Sequence, residues 1–92
     1  MIDSIRHKGL KRLYEQDDGR GLNPQHIEKI ALILTTLDAA QTIDAMNLPS
    51  FRLHKLSGDL VGFWSVTVRA NWRIVFRFAD GAATDVDLVD YH

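Results

Sequence analysis

The chain contains no cysteine, and it has no hydrophobic run long enough to cross a membrane. The absence of cysteine excludes a disulfide scaffold, a thiolate zinc site and a cysteine nucleophile. A membrane span needs about 18 consecutive apolar residues, and the first residues also lack the long apolar segment of a signal peptide. We therefore expect a cytoplasmic protein that makes no contact with membranes.

Several kinds of active site are also missing. Gly58 and Gly62 lie in a hairpin-like loop that no helix follows, so a glycine-rich phosphate loop is excluded. No serine stands in a nucleophile elbow, and the acids do not form a pair suited to glycoside hydrolysis. His54, Asp90 and His92 are chemically possible metal ligands, but no two of them stand at a diagnostic helical spacing. We expect neither a metal nor a cofactor.

The net charge of −1 conceals a segregation of charge along the chain. Residues 1–12 carry a local charge of +3, and residues 51–78 carry five basic residues against one acid. The segments 13–50 and 79–92 each carry a local charge of −4. Such blocks can place a basic face on a nearly neutral molecule, which suits a ligand that contains phosphate. Alternatively, the acidic and basic blocks pair with each other across the fold.

The length of 92 residues predicts a single domain, 1–92, whose first half has helical periodicity. A short opening strand over Ile2–Ile5 and a brief helix over His7–Glu15 are predicted first. The next helix is predicted to start with Asn23 as its N-cap and Pro24 as its first residue. Thr42–Leu48 is expected to form a short extra turn. The core stripe of the second helix consists of Ile27, Ile30, Ala31, Leu34 and Leu37.

After Pro49 the hydrophobic period becomes alternating, as in strands. Ala70-Asn71 and Asp80-Gly81 mark tight turns between strands. The predicted strands are Phe51–Leu56, Phe63–Arg69, Trp72–Phe78 and Ala82–Val89. Helices followed by an antiparallel meander indicate an α+β fold, with two N-terminal helices packed on one face of a mainly antiparallel sheet.

The alternation in Trp72–Phe78 assigns its side chains to two faces. The apolar residues of this strand should face the helices, so Arg73 and Arg77 should lie on the open face. A two-residue and a three-residue loop at Ala70-Asn71 would place the preceding strand in opposite registers. The neighbours of Arg73 on that strand therefore stay open at this stage.

The polar residues favour cleavage of RNA without a metal. The ribose 2′-hydroxyl can attack its neighbouring phosphate, so the protein must supply a base, an acid and cations. His54 and His92 can take the proton roles, and Asp90 can orient an imidazole or transfer a proton itself. Arg73 has the bidentate fork that phosphate requires. Phosphate contacts from Arg69 and Lys55, and base stacking by Tyr91 and Trp72, complete this set.

Four segments together form a recognisable pattern: His7–Leu10, Leu53–Asp59, Gly62–Ile74 and the terminal Asp90-Tyr91-His92. With them the chain resembles the HigB toxins of bacterial type II toxin–antitoxin systems, which belong to the RelE superfamily. The resemblance covers essentially the whole chain. It implies a microbial-RNase-like fold and an mRNA interferase, an endoribonuclease that cleaves the codon in the ribosomal A site and so inhibits translation.

The resemblance also implies site residues and partners. The catalytic residues it implies, with Arg73 added for the phosphate, are His54, Asp90, Tyr91 and His92. The residues expected to bind RNA or phosphate are Arg69, Lys55, Lys8 and Trp72. The expected partners are mRNA, the small ribosomal subunit and a HigA-like antitoxin with a helix-turn-helix domain. The toxin is expected to contact operator DNA only through this antitoxin.

Ser57 is the main departure from this family. Relatives often place a lysine at this position, immediately before the loop glycine. Lys55, two residues earlier, can substitute for it. A second hypothesis therefore stays open, in which a catalytically weak member binds the antitoxin and co-regulates its operon. A third hypothesis is a structural RNA-binding domain.

The assignment of the general base and the general acid also stays open, because two histidines and an aspartate can titrate as a coupled set.

Overall fold

The computed structural model describes residues 1–90, in which two α-helices pack with a four-stranded sheet. The elements are α1 (Lys8–Gln16), α2 (Ile27–Ala39), β1 (His54–Lys55), β2 (Trp64–Arg69), β3 (Trp72–Ala79) and β4 (Ala82–Asp90), with 3₁₀ turns at Ile43–Met46 and Gly58–Leu60. The strands lie in the order β1-β2-β3-β4, and each pair is antiparallel. The predicted α+β fold is confirmed. No helix within residues 1–90 has the length and apolarity to span a membrane.

Helix α1 begins at a histidine cap. The Nδ1 atom of His7 accepts hydrogen bonds from the backbone N–H groups of Gly9 (3.0 Å) and Leu10 (3.2 Å). Two of the N–H groups that a helix leaves unpaired in its first turn are thereby satisfied. The helix ends where Asp17 adopts a left-handed backbone conformation, with φ of 54°. The predicted range is correct to one residue, and His7 is the cap rather than the first helical residue.

Helix α2 begins three residues later than predicted. It starts at Ile27, while the side-chain Oδ1 of Asn23 accepts a hydrogen bond from the N–H of Gln25 at 2.9 Å. This local bond closes a turn before the helix, as asparagine side chains often do. The signal at Asn23-Pro24 is therefore a turn that precedes the helix, and the predicted start at Pro24 is wrong.

The hydrophobic core lies between the helices and one face of the sheet, which we call the helix face. Its fully buried members on β3 are Ile74 and Phe76, packed with residues of α1 and α2. The buried residues of α2 are Ile30, Ile33, Leu34 and Leu37, close to the predicted stripe. Trp72, on the same face of β3, is 36% exposed and does not belong to this core.

Two predicted strands are shorter than expected. Arg52 has a φ of 49°, which interrupts the extended backbone and confines β1 to His54–Lys55. The opening segment pairs with β4 through two isolated parallel bridges, Ile2 with Ala83 and Ile5 with Val86. Periodicity alone did not reveal that this segment lies beside the last strand.

A carboxylate of α2 anchors the opening segment. The Oδ1 atom of Asp38 accepts hydrogen bonds from the hydroxyl of Tyr14 at 2.8 Å and from the N–H of Ile2 at 3.0 Å. The Tyr14 hydrogen bond, with a smaller contribution from Ile2, lowers the pKa of the Asp38 carboxyl below its ordinary value of 3.8. The same bond raises the pKa of Tyr14.

The β2–β3 hairpin has a two-residue loop, which settles the register. Ala70 has a φ of 51° in this loop, and Arg69 lies opposite Trp72. The register shifts between Thr67 and Arg69, so Thr67 is the residue opposite Arg73. Such a bulge adds a residue to one strand and changes the face to which the following side chain belongs.

Candidate active site

His54 lies on the face of the sheet opposite the helices, which we call the open face. It pairs with Ser65, and Ser65 pairs in turn with Val75, which pairs with Asp87. Directly opposed residues of neighbouring strands share a face, so these four side chains form one row across the sheet. His54 itself is exposed. Its imidazole is therefore accessible to a substrate that lies on the open face.

Arg73 occupies the next row of the open face. Thr67 and Val89 are its cross-strand partners. Strand spacing puts the Cα atoms of His54 and Arg73 roughly 12 Å apart, a distance that an arginine and a phosphate between them can bridge. The sheet thus brings His54 and Arg73 onto one surface.

The hairpin backbone holds the Arg73 guanidinium. Its Nη1 atom donates hydrogen bonds to the carbonyl oxygens of Ala70 and Trp72. Both bonds use Nη1, and an arginine carries three further N–H donors on Nε and Nη2. The side chain is therefore oriented by the turn while it retains donors that suit a phosphate oxygen.

A second group of predicted residues lies on the helix face. Arg69, Trp72 and Asp90 are cross-strand partners in one row, next to that of Arg73. The centroid of the Trp72 ring is 6.1 Å from that of His26, which is only 7% exposed. A cavity of about 120 Å³ adjoins these rings. The residues that line it are His7, Gly21, Leu22, Asn23, His26, Trp72 and Leu88.

The remaining predicted residues are placed elsewhere. Lys55 pairs with Trp64, and its Nζ lies 5.8 Å from the centroid of that ring, which puts it on the helix face. Lys8 is exposed at the start of α1. Tyr91 and His92 lie outside the described residues. The structure therefore brings His54 together with Arg73 and Asp90 with Trp72 and Arg69, but it places Lys55 with neither group.

Sequence reasoning missed two groups of residues beside the predicted site. His26 is not among the predicted site residues, and it is buried beside Trp72. On the open face, Arg6 and Arg77 both approach the ring of Phe63 and the carboxylate of Asp85. Alternation in β3 placed Arg77 on this face, but only the pairing of the opening segment with β4 brings Arg6 there.

Known proteins resemble this chain over its whole length. A family model described as "RelE-like toxin of type II toxin-antitoxin system HigB" matches residues 3–92. The chain is 45% identical to Endoribonuclease HigB of Proteus vulgaris over 92 residues, which is 100% of both chains. It is 34% identical to Toxin HigB-1 of Vibrio cholerae over 90 residues, which cover 96% of this chain and 95% of that one.

Solved structures of RelE-like toxins share the fold at low sequence identity. A point mutant of the Escherichia coli protein YafQ superposes with a TM-score of 0.64 at 16% identity, covering 98% of this chain and 91% of that one. The YoeB–YefM toxin–antitoxin complex of Staphylococcus aureus contains a chain that matches with a TM-score of 0.62 at 17% identity, covering 100% of this chain and 98% of that one.

The expectations of family and enzyme class agree with these findings. The family model extends to the last residue, and the 45% identical relative bears the name of an endoribonuclease. The sheet and its two helices agree with the solved RelE-like toxins. The chain therefore belongs to the HigB family of RelE-like toxins of type II toxin–antitoxin systems.

Proposed function

We propose that this toxin is a ribosome-dependent endoribonuclease that cleaves mRNA in the A site by attack of a ribose 2′-hydroxyl, without a metal. The observation that supports this most directly is the shared surface of His54 and Arg73, which pairs a proton-transfer group with a phosphate-binding group. The 45% identity to a full-length endoribonuclease supports the same chemistry.

In this reaction the 2′-oxygen bonds to phosphorus while the bond from phosphorus to the 5′-oxygen breaks. A base removes the proton of the 2′-hydroxyl, and an acid protonates the departing 5′-oxygen. His54 fills one of these two roles from the open face. The other role falls to His92. Asp90, whose row belongs to the helix face, orients an imidazole, and Tyr91 completes the catalytic set that the family resemblance implies.

Arg73 stabilises the charge that develops on the phosphate. Its guanidinium is preorganised by the Ala70 and Trp72 carbonyls, so little reorganisation is needed when the charge develops. The substrate lies between His54 and Arg73 in this arrangement.

Trp72 offers a surface for a nucleobase at the end of the sheet. Trp72 is 36% exposed, and the centroid of its ring lies 6.1 Å from that of buried His26. Stacking on an aromatic ring is a common mode of single-strand RNA recognition. Arg69 shares the row of Trp72 and contributes a cation for the RNA backbone, and Lys8 and Lys55 are further cations proposed to contact it.

Membership of a toxin–antitoxin family implies an antitoxin partner. We propose a HigA-like antitoxin with a helix-turn-helix domain, which alone carries the toxin to operator DNA. The small ribosomal subunit and mRNA are the remaining proposed partners, and ribosome binding restricts cleavage to translated messages.

The test is expression of the toxin without antitoxin, followed by mapping of cleavage sites on ribosome-bound mRNA. We expect growth arrest and cuts within A-site codons, and we expect both to disappear when His92 is deleted. Circular dichroism must show that the truncated protein folds. Cleavage that survives this deletion would contradict the proposed role of the terminal residues.

A catalytically weak member that co-regulates its operon is the second candidate. The observation that favours it is that Ser57 stands where relatives often carry a lysine, while the nearby Lys55 lies on the helix face, away from His54. A folded toxin that cuts no ribosome-bound message but strengthens operator binding by the antitoxin would establish this alternative.

A further inference from the structure

Arg6 and Arg77 form a compact cationic cluster on the open face. The Cζ atom of Arg77 lies 4.5 Å from the centroid of the Phe63 ring, and that of Arg6 lies 5.8 Å from it. The two oxygens of Asp85 contact the two arginines separately, at 3.4 Å from Arg6 Nε and 3.6 Å from Arg77 Nε. One carboxylate thus bridges two guanidinium groups that lie near one aromatic ring.

Three separate parts of the chain build this cluster. The N–H of Arg6 donates to the carbonyl of Val86 at 2.7 Å, which fixes the opening segment beside β4. Asp85 lies at a register shift between β3 and β4 with a φ of 54°, and its N–H donates to Ser4 Oγ at 2.8 Å. A β-bulge of this kind redirects a side chain, and here it directs Asp85 to the arginines.

Gly62 completes the cluster. Its φ is 92°, and a Cβ at this position would lie 3.0 Å from Nη1 of Arg77. Both the left-handed backbone and the close approach favour glycine here. The Arg77 guanidinium can therefore lie against the backbone of this loop.

The cluster retains the capacity to bind an anion. Its two guanidinium groups outnumber its one carboxylate, and the side chains of Arg6 and Arg77 are 57% and 51% exposed. Asp85 contacts them through Nε, while their Nη atoms carry the donors of a bidentate fork. Phe63 is buried, and both guanidinium groups lie within cation–π distance of its ring.

The position of the cluster relates it to the candidate active site. Arg73 and Arg77 lie two residues to either side of Val75 on β3, and Val75 belongs to the row of His54. The two arginines of β3 are therefore roughly 13 Å apart along the strand, with the row of His54 between them.

We propose that Arg6 and Arg77 form a second phosphate-binding site, which holds the RNA backbone on the side of His54 opposite Arg73. The inference rests on the proposed function, because it assigns an RNA ligand to the face that carries His54 and Arg73. The ligand is a phosphodiester of single-stranded RNA, and the two cationic sites together align the strand across His54.

Binding of an uncleavable RNA oligonucleotide with 2′-O-methyl riboses tests this proposal. Affinity is measured by fluorescence anisotropy over a series of salt concentrations, with Arg6→Gln, Arg77→Gln and the double variant. Each single variant should reduce the slope of log affinity against log salt by roughly 0.7, since this is the contribution of one phosphate contact to a single strand. Arg77→Lys should retain most of the slope, because it retains the charge.

Matched variants separate this result from charge and folding effects. Lys29→Gln removes one cation from α2, where Lys29 lies 5.6 Å from the Phe51 ring, and should leave the slope unchanged. His54→Ala should reduce cleavage of ribosome-bound mRNA by roughly 10²–10⁴-fold but leave the slope unchanged. Circular dichroism confirms that each variant is folded.

Wild-type binding no tighter than that of the double variant, or an unchanged slope in the double variant, overturns the proposal. Loss of antitoxin binding with an unchanged RNA slope also overturns it and assigns the face to a protein. Absence of cleavage by the wild-type toxin would contradict the proposed function instead, even if the slopes fall as expected.

Discussion

Arg69 lies opposite Trp72 and not opposite Arg73. The two-residue loop at Ala70-Asn71 is the cause, because it pairs the residues on either side of it. The register shift between Thr67 and Arg69 adds one residue to β2 and places Thr67, instead of Val68, opposite Arg73. Two arginines that sequence reasoning treated as one phosphate site are thereby assigned to different rows of the sheet. Arg73 shares the open face with His54, while Arg69 joins Trp72 and Asp90.

The two neighbouring residues of β1 should respond differently to substitution. His54→Ala should reduce cleavage of ribosome-bound mRNA by roughly 10²–10⁴-fold, which is the usual contribution of a proton-transfer group. Lys55→Ala should change the rate much less, since Lys55 lies against Trp64 on the helix face. Single-turnover cleavage rates measure both effects, and equal losses in the two variants would contradict the face assignment.

Even the replacement of Arg73 by lysine should lower the cleavage rate. Arg73→Ala should lower the cleavage rate by roughly 10²–10³-fold, in the range found when one preorganised donor is removed. Arg73→Lys should recover only part of this loss, because lysine cannot bind the hairpin carbonyls and a phosphate through one planar group. Arg69→Ala is the comparison: we expect it to raise KM more than it lowers kcat, and the opposite pattern would refute the division of the two arginines.

The hydrogen bond between Tyr14 and Asp38 should make the free energy of unfolding depend on pH in the acid range. The Tyr14 hydroxyl lowers the folded-state pKa of Asp38, so its stabilisation is present above the unfolded pKa and is lost as the pH falls through the folded pKa. Tyr14→Phe should therefore reduce the free energy of unfolding by about 0.5–1 kcal/mol at pH 7, a value kept small because both side chains are exposed.

Urea denaturation of the wild type and Tyr14→Phe at several pH values measures this effect. The difference between the two proteins should narrow as the pH falls below about 4. Asp59→Asn, which removes a carboxylate from the loop after β1, serves as the control and should show no such convergence with the wild type. A Tyr14→Phe difference that stays constant with pH would exclude the ionised Asp38 as its cause.

Ala70→Gly should stabilise the β2–β3 hairpin. Ala70 has a φ of 51°, and this left-handed conformation costs about 1 kcal/mol or more for a residue with a Cβ. Glycine removes that cost but gains about 0.4–1 kcal/mol of entropy in the unfolded chain, so a net gain of a few tenths of a kcal/mol is expected. Chemical denaturation checks the sign, and cleavage should be retained because the carbonyl that binds Arg73 is unchanged.

Much of the fold could be predicted from local patterns. The alternation in Trp72–Phe78 assigned Ile74 and Phe76 to the core and Arg73 and Arg77 to the other face, because the pleat of a strand sets these directions without any neighbour. The predicted helix start at Pro24, with Asn23 as its cap, is wrong, because the same side-chain bond can cap a helix or close a turn. Only packing of the following residues distinguishes the two.

The candidate site was predicted as a set of residues but not as an arrangement. The sequence by itself determined the residue types, the order of helices and strands, and the family, since these depend on local periodicity and on the motifs from His54 to Arg73 and at the C-terminus. Only the tertiary structure decided that Arg69 joins the helix face while Arg73 lies on the open face, and that Arg6 meets Arg77 over Phe63. The physical reason is that a bulge or a pairing between distant segments changes which side chains share a face, and neither leaves a local signal in the chain.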